Sequence, residues 1–243
     1  MVQTLVVADP LADLTLLEGV PSAVVAARAA VDAVLRDRGF RQITAEQSAQ
    51  ALLAGARASA QLSDDPGRWL SGAVRLYTEL VALSPLVRVS PGQAMARAHA
   101  LLAHGLVPAA ELGRVRDDDQ VSHRMVGLTR LLTSPTTASA IVLAAVVHAE
   151  LATVEPFGCG DALLARCLEH MVLIDAGVDP AAVIVVEAGH LAAGEEYERR
   201  LVGYRDGGVA GVKAWLLHCA QAVAYGAEVS GLSGLSPSRP RRS

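Results

Sequence analysis

The stretch Thr136 to Thr153 constrains this chain more than any other. Read as a helix, it is apolar on nearly every face and has no polar stripe to offer to solvent. Its longest unbroken apolar run, Ala140 to Val147, is far too short to cross a bilayer, which takes about 20 residues. Such a helix has to be wrapped by other elements. Apolar residues make up 52% of the 243, enough to supply a sizeable core around it.

Punctuation in the rest of the chain predicts those wrapping helices. Pro21 to Arg38 has good helix formers, with Pro21 suited to a first turn and Gly39 to the position past the end. Thr44 and Gln47 are spaced as a capping box opening a helix to Leu62, which Ser63-Asp-Asp-Pro-Gly then breaks. Further helices are predicted over Arg68–Leu83, Pro91–His104, Val121–Leu132, Ala162–Ala176, Glu195–Tyr204 and Gly208–Tyr225. Val183 to Val186 reads as one short β-branched strand. The class is mainly α, with at most one short β element. Residues 1–43 read as an N-terminal segment with a helix, 44–229 as one helical domain, and 230–243 as a disordered tail of Ser, Gly, Pro and Arg.

Composition narrows the function classes. Net charge is −4, and Lys213 is the only lysine among 21 basic residues, so no basic face for nucleic acid is expected. Aromatics at 3% exclude base-stacking platforms. The alanine- and arginine-rich usage suggests a GC-rich bacterial genome. Cys159, Cys167 and Cys219 match neither a disulfide framework nor a zinc pattern. The first residues lack the charged start of a signal peptide, so the protein is expected to be cytoplasmic, with no membrane partner.

The connection Val154-Glu-Pro-Phe-Gly-Cys-Gly-Asp carries most of the functional information. Gly158, Gly160 and Asp161 directly precede a helix, where converging N–H groups and the helix dipole make a natural phosphate cradle. An ordinary glycine turn with Asp161 as N-cap is the plainer reading of the same residues. Gly158-Cys-Gly160 also matches the start of the dinucleotide fingerprint Gly-x-Gly-x-x-Gly, but Leu163 stands at the third glycine and a helix precedes it. A nicotinamide-dependent oxidoreductase is thus a third reading, which a bound flavin or nicotinamide would favour.

The segment from His148 through Glu155-Pro156-Phe157-Gly158-Cys159-Gly160-Asp161-Ala162-Leu163 to Arg166 resembles the core of the Fic (Fido) family. That family places His-Pro-Phe-x-Asp/Glu-Gly-Asn-Gly-Arg-x-x-Arg between two core helices, and its members typically transfer AMP from ATP to a protein hydroxyl. The similarity extends over roughly Ala45 to Tyr225, and implies a degenerate bacterial member of actinobacterial type. The resemblance puts the family's catalytic histidine on Glu155 and its metal-binding acid on Cys159. Asp161 and Ala162 replace the second and third positions of its glycine-asparagine-glycine nest. Leu163 replaces the first phosphate-binding arginine, and Arg166 keeps the second.

Each departure weakens nucleotide chemistry. A carboxylate about 5 Å from a phosphate charge costs about 3 kcal/mol at an effective dielectric near 20. Cys159 offers magnesium no hard oxygen ligand, and Glu155 is a weaker base than histidine. The family's inhibitory pattern Ser/Thr-x-x-x-Glu falls on Ser59 to Ser63, with Asp64 beside it as an imperfect substitute for the glutamate. Gly113-Arg-Val-Arg116 resembles the segment before the family's target-docking hairpin, but Asp117-Asp-Asp-Gln leaves no room for one. The expectation is therefore an inactive or weak AMP transferase that acts as a binding or regulatory protein. Its partner would be a protein, or a small anion held by Arg166, with ATP and Mg2+ as cofactors only where activity survives. The alternative is a divergent transferase with Glu155 as base.

Other candidates are structural in this reading. Arg166 is expected either to meet an anion or to pair with Asp161, Glu155 or Asp64. His148 is expected to buttress the motif turn. Cys159, Cys167 and His170 lack a fourth metal ligand, His190 and His218 show no partner pattern, and Asp117 to Asp119 read as a solvated loop.

Overall fold

The structure is a computed structural model that describes residues 9–37 and 43–233. Among these residues there are twelve α-helices and no strand; the one β feature is an isolated bridge between His104 and Val107. The helices are α1 (Val20–Asp37), α2 (Ala45–Gln61), α3 (Pro66–Thr78), α4 (Leu80–Leu83), α5 (Leu86–Val89) and α6 (Pro91–Ala103). They continue with α7 (Asp119–Thr133), α8 (Ala140–Val154), α9 (Asp161–Asp175), α10 (Val186–Ala193), α11 (Glu195–Asp206) and α12 (Gly208–Ser233).

Helix α8 is the core the sequence demanded: every residue from Ile141 to Ala149 is buried. It packs along α9, in which every residue from Leu163 to Ile174 is buried. Around this pair lie α2, α6, α7, α11 and α12, with Trp215 of α12 donating its indole N–H to the Ala145 carbonyl at 2.8 Å. The N-terminal α1 lies along α12 and buries Val20, Ala27 and Val31, so it belongs to the same core. No single helix among the described residues is long and apolar enough to cross a membrane; only the bent combination of Pro66–Thr78 with Leu80–Val89 meets the length and composition.

Local signals explain most helix starts. Thr44 and Gln47 form the full reciprocal capping box at α2, and Asp65 caps α3 just before Pro66. Asp118, expected in a solvated loop, instead caps α7: its carboxylate accepts from the N–H groups of Gln120 and Val121 at 2.8 and 3.0 Å. Those bonds hold its carboxyl below the usual range.

Three expectations are corrected. The single helix over Arg68–Leu83 is broken at Glu79, and the chain turns by 58° there. Val183 to Val186 is not a strand. The Asp179 carboxylate accepts the N–H groups of Val183 and Ile184 at 3.1 and 2.8 Å, taking the place of a neighbouring strand, and Val186 opens α10. That helix went unread because Val185 offers no side-chain cap and Gly189 looks like a breaker. Gly189 is required by close packing, since a Cβ there would lie 2.4 Å from the Ala222 backbone. The tail expected from Ser230 does not begin there, because α12 runs to Ser233. Ser230 is buried, with its hydroxyl donating to the Gly226 carbonyl and accepting from the Val185 N–H. Arg38, Gly39 and residues 234–243 lie outside the described residues.

Candidate functional site

The six residues between α8 and α9 form a tight turn beside a groove of about 480 Å³. Glu155 closes α8 in the left-handed conformation (φ 51°, ψ 57°), uncommon for a residue with a Cβ, and its side chain is exposed at the groove. Arg116 secures this helix end: its guanidinium donates to the carbonyls of Val154 and Glu155, and its N–H to that of Pro156. The segment that resembles the one before the family's docking hairpin therefore straps the motif turn, and no hairpin follows it among the described residues.

Gly160 caps α9 at φ +69°, and a Cβ there would lie 2.9 Å from the Trp69 ring and 3.0 Å from Leu102. Asp161 is buried and turns back on the loop, accepting the Phe157 N–H at 2.9 Å. Burial pushes its carboxyl up to about 6, with Glu155 adding to the rise and the Phe157 N–H and Arg116 opposing it. Phe157 stacks on His99 with ring centroids 4.3 Å apart. The Gly113 N–H donates to His99 Nδ1, so His99 Nε2 carries the proton and points it at the half-buried Cys159 Sγ, 3.7 Å away. Burial and the nearby Asp161 raise the thiol above its ordinary value, the opposite of an activated nucleophile.

Arg166 is fully buried at the inner wall of the groove. It pairs with none of Asp161, Glu155 and Asp64. Its Nε donates to Ser59 Oγ at 2.8 Å, its Nη2 to the Ser59 carbonyl at 2.9 Å and its Nη1 to the Tyr197 hydroxyl at 2.9 Å. Ser59 thus holds the arginine through both backbone and side chain. Ser63 only donates back to the Ala60 carbonyl, and Asp64 is exposed at the groove edge.

Hydrogen-bond direction then fixes a chain through the core. The Tyr197 oxygen accepts from Arg166, which frees its own proton for His148 Nε2 at 2.9 Å. His148 therefore carries its proton on Nδ1 and donates it to Glu169 Oε2 at 2.5 Å. His190 Nε2 donates to the same oxygen at 2.8 Å, and its Nδ1 lies 3.0 Å from His218 Nε2. Burial pulls His148 down to about 4 in spite of Glu169 and pushes Tyr197 up to about 12. Burial opposes the Glu169 charge as well, but His190 and His148 hold its carboxyl well below the usual range. Arg166 and Glu169 thus form a buried ion pair relayed by a neutral tyrosine and a neutral histidine, and His148 serves this relay instead of the motif turn.

A second buried cluster joins Tyr77, His170, Asp179 and Glu187. Glu187 Oε1 accepts from Tyr77 and His170 Nδ1, both at 2.9 Å. Burial would favour neutral His170, but Glu187 and Asp179 raise it to about 10, so it is cationic. His170 is accordingly a counter-ion and no partner to Cys159 or Cys167.

The ligand atoms of His148, Glu169 and His190 lie within 4.8 Å of one another, as two histidines and a carboxylate around a cation would. Protons already account for every contact in that space. A dication would displace the N–H donated by His148 and reverse the Tyr197 hydroxyl, which has Arg166 on its other side. With Arg166 and one carboxylate, the dry site would then carry a net charge of +2, at a large desolvation cost. The residues do not fit a metal. Sequence reasoning missed this network because its members, from Ser59 to His218, lie on six different helices.

No protein-family model matches the chain, and no curated protein matches it in sequence. Its structure is similar to the crystal structure of a Fic family protein from Desulfovibrio desulfuricans G20, with a TM-score of 0.67 at 16% identity. The likeness covers 89% of this chain and 76% of that one. A mainly helical scaffold with a motif turn between two buried central helices is therefore what the fold and site define. The chain has the Fic fold.

Proposed function

We propose that this chain is a cytoplasmic Fic-fold protein without efficient nucleotidyl transfer, acting as a binding or regulatory protein through its former nucleotide groove. The commitment of Arg166 carries the reading: the one motif arginine is buried and bonded through all three guanidinium nitrogens to Ser59 and Tyr197. Those bonds use three of its five N–H groups and fix the guanidinium in the wall, so an anion in the groove would have only the two remaining N–H groups of a fully buried side chain to meet. Charge adds to the barrier, since Asp64, Asp65, Glu155, Asp161 and Glu198 line the groove against Arg68 and Arg166. Such a lining repels a triphosphate and favours a protein segment as occupant over a nucleotide.

Calorimetric titration with ATP, with and without Mg2+, tests this. No saturable heat at millimolar ATP is expected from the wild type. The folded variant carrying Glu155→His, Cys159→Asp, Asp161→Asn, Ala162→Gly and Leu163→Arg should gain ATP binding. Micromolar binding by the wild type that Arg166→Ala removes would instead revive the transferase, with Glu155 as base.

A further inference from the structure

A second groove, of about 400 Å³, lies on the other side of the Phe157 turn, between α6 and α7. Met95, Val115, Met125, Val126 and Phe157 give it an almost wholly apolar surface. Arg130 is the only charged residue of the lining among the described residues. No hydrogen bond or ion pair among the described residues engages its guanidinium; only its carbonyl is used, by Ser134 and Thr133. The volume is that of a small-molecule site. Its apolar surface also stops at the rim. Val126 is the one large apolar residue of the lining that is exposed, and Ser122, His123, Arg124 and Gly127 lie around it on the outer side of α7. That patch is too small for a stable protein interface.

We propose that this groove binds a medium-chain carboxylate. The hydrocarbon lies on Met95, Val115, Met125 and Phe157, and the carboxylate faces Arg130. Two methionines adapt readily to a flexible chain, and a planar guanidinium matches a carboxylate in two-point geometry. This site is independent of the ATP-binding question, because none of its residues lines the other groove.

Octanoate and 1-octanol, titrated into the full chain and read by calorimetry, separate the apolar and charged parts of the proposal. Octanoate should bind saturably and about fivefold more tightly than octanol, the scale of a partly exposed ion pair. Arg130→Gln should abolish that preference and leave octanol binding unchanged. Ala96→Phe, which fills the groove, should remove both, and Val126→Trp provides a second filling variant if the first fails to fold. Equal affinity for octanoate and octanol, an unchanged preference in Arg130→Gln, or binding that survives a folded filling variant would each overturn the assignment. So would the absence of saturable binding.

Discussion

Replacing Tyr197 by phenylalanine removes one oxygen from the centre of the relay and leaves the ring in place. That ring lies beside Arg166, His148, His190, Trp215 and His218, so packing is retained and the variant isolates the hydroxyl. Arg166 Nη1 and His148 Nε2 lose their partner together. A buried polar group without a partner costs about 1–3 kcal/mol, and a charged one lies at the upper end. The loss should therefore be about 3–5 kcal/mol, which lowers Tm by roughly 10 °C in a chain of this size. Tyr204→Phe is the control: its hydroxyl donates to Glu150 at a half-buried edge where Arg124 also binds, so about 1 kcal/mol or less should be lost. Chemical and thermal unfolding of both variants measure the difference. The imidazole 15N shifts of the wild type should show the His148 proton on Nδ1. Equal losses in the two variants, or a proton on Nε2, would refute the directional relay.

Two further outcomes follow from the motif turn. The Asp161 carboxyl is raised to about 6 in the fold, so its contribution is full below about pH 4 and is lost as pH rises through 6. Asp161→Asn keeps an oxygen for the Phe157 N–H, so it should match the wild type near pH 4 and exceed it by about 2–3 kcal/mol above pH 7. Urea unfolding at pH 4, 5.5 and 7.5 checks this, and a difference independent of pH would count against the buried charge. Gly160→Ala combines a left-handed φ with contacts of 2.9 and 3.0 Å to Trp69 and Leu102, and should cost about 2–4 kcal/mol. Gly177→Ala shares that φ but meets nothing within 4 Å, so about 1 kcal/mol is expected. Similar losses in the two would show that Trp69 yields easily.

Neighbouring residues announced the parts of the fold that depend on neighbouring residues. The Thr44–Gln47 box and the apolar run of α8 are complete within a few turns of chain, and each stands in the structure as read. Where a distant partner decides the conformation, sequence reading failed. Val183 and Ile184 look like a strand until Asp179 takes their N–H groups, and Ser230 looks like a tail until Val185 and Gly226 bind it. The site divides in the same way. The turn from Glu155 to Asp161 is contiguous, so its erosion was legible residue by residue. Arg166 was legible as a position but not as a state, because its partners Ser59 and Tyr197 lie 107 and 31 residues away.

That separation bears on how such a groove could be reactivated. Restoring the motif residues alone rebuilds the turn but leaves Arg166 held at three nitrogens, by a helix that precedes the motif and a helix that follows it. The relay to Glu169 makes this hold cooperative, since moving the guanidinium leaves the Tyr197 oxygen without its donor and the buried Glu169 without its counter-charge. The restored variant should therefore bind ATP more tightly still when Ser59→Ala is added, because only that change loosens the arginine without breaking the relay behind it. If adding Ser59→Ala gave no further gain, the groove carboxylates, and not the buried arginine, would be the main barrier to the phosphate.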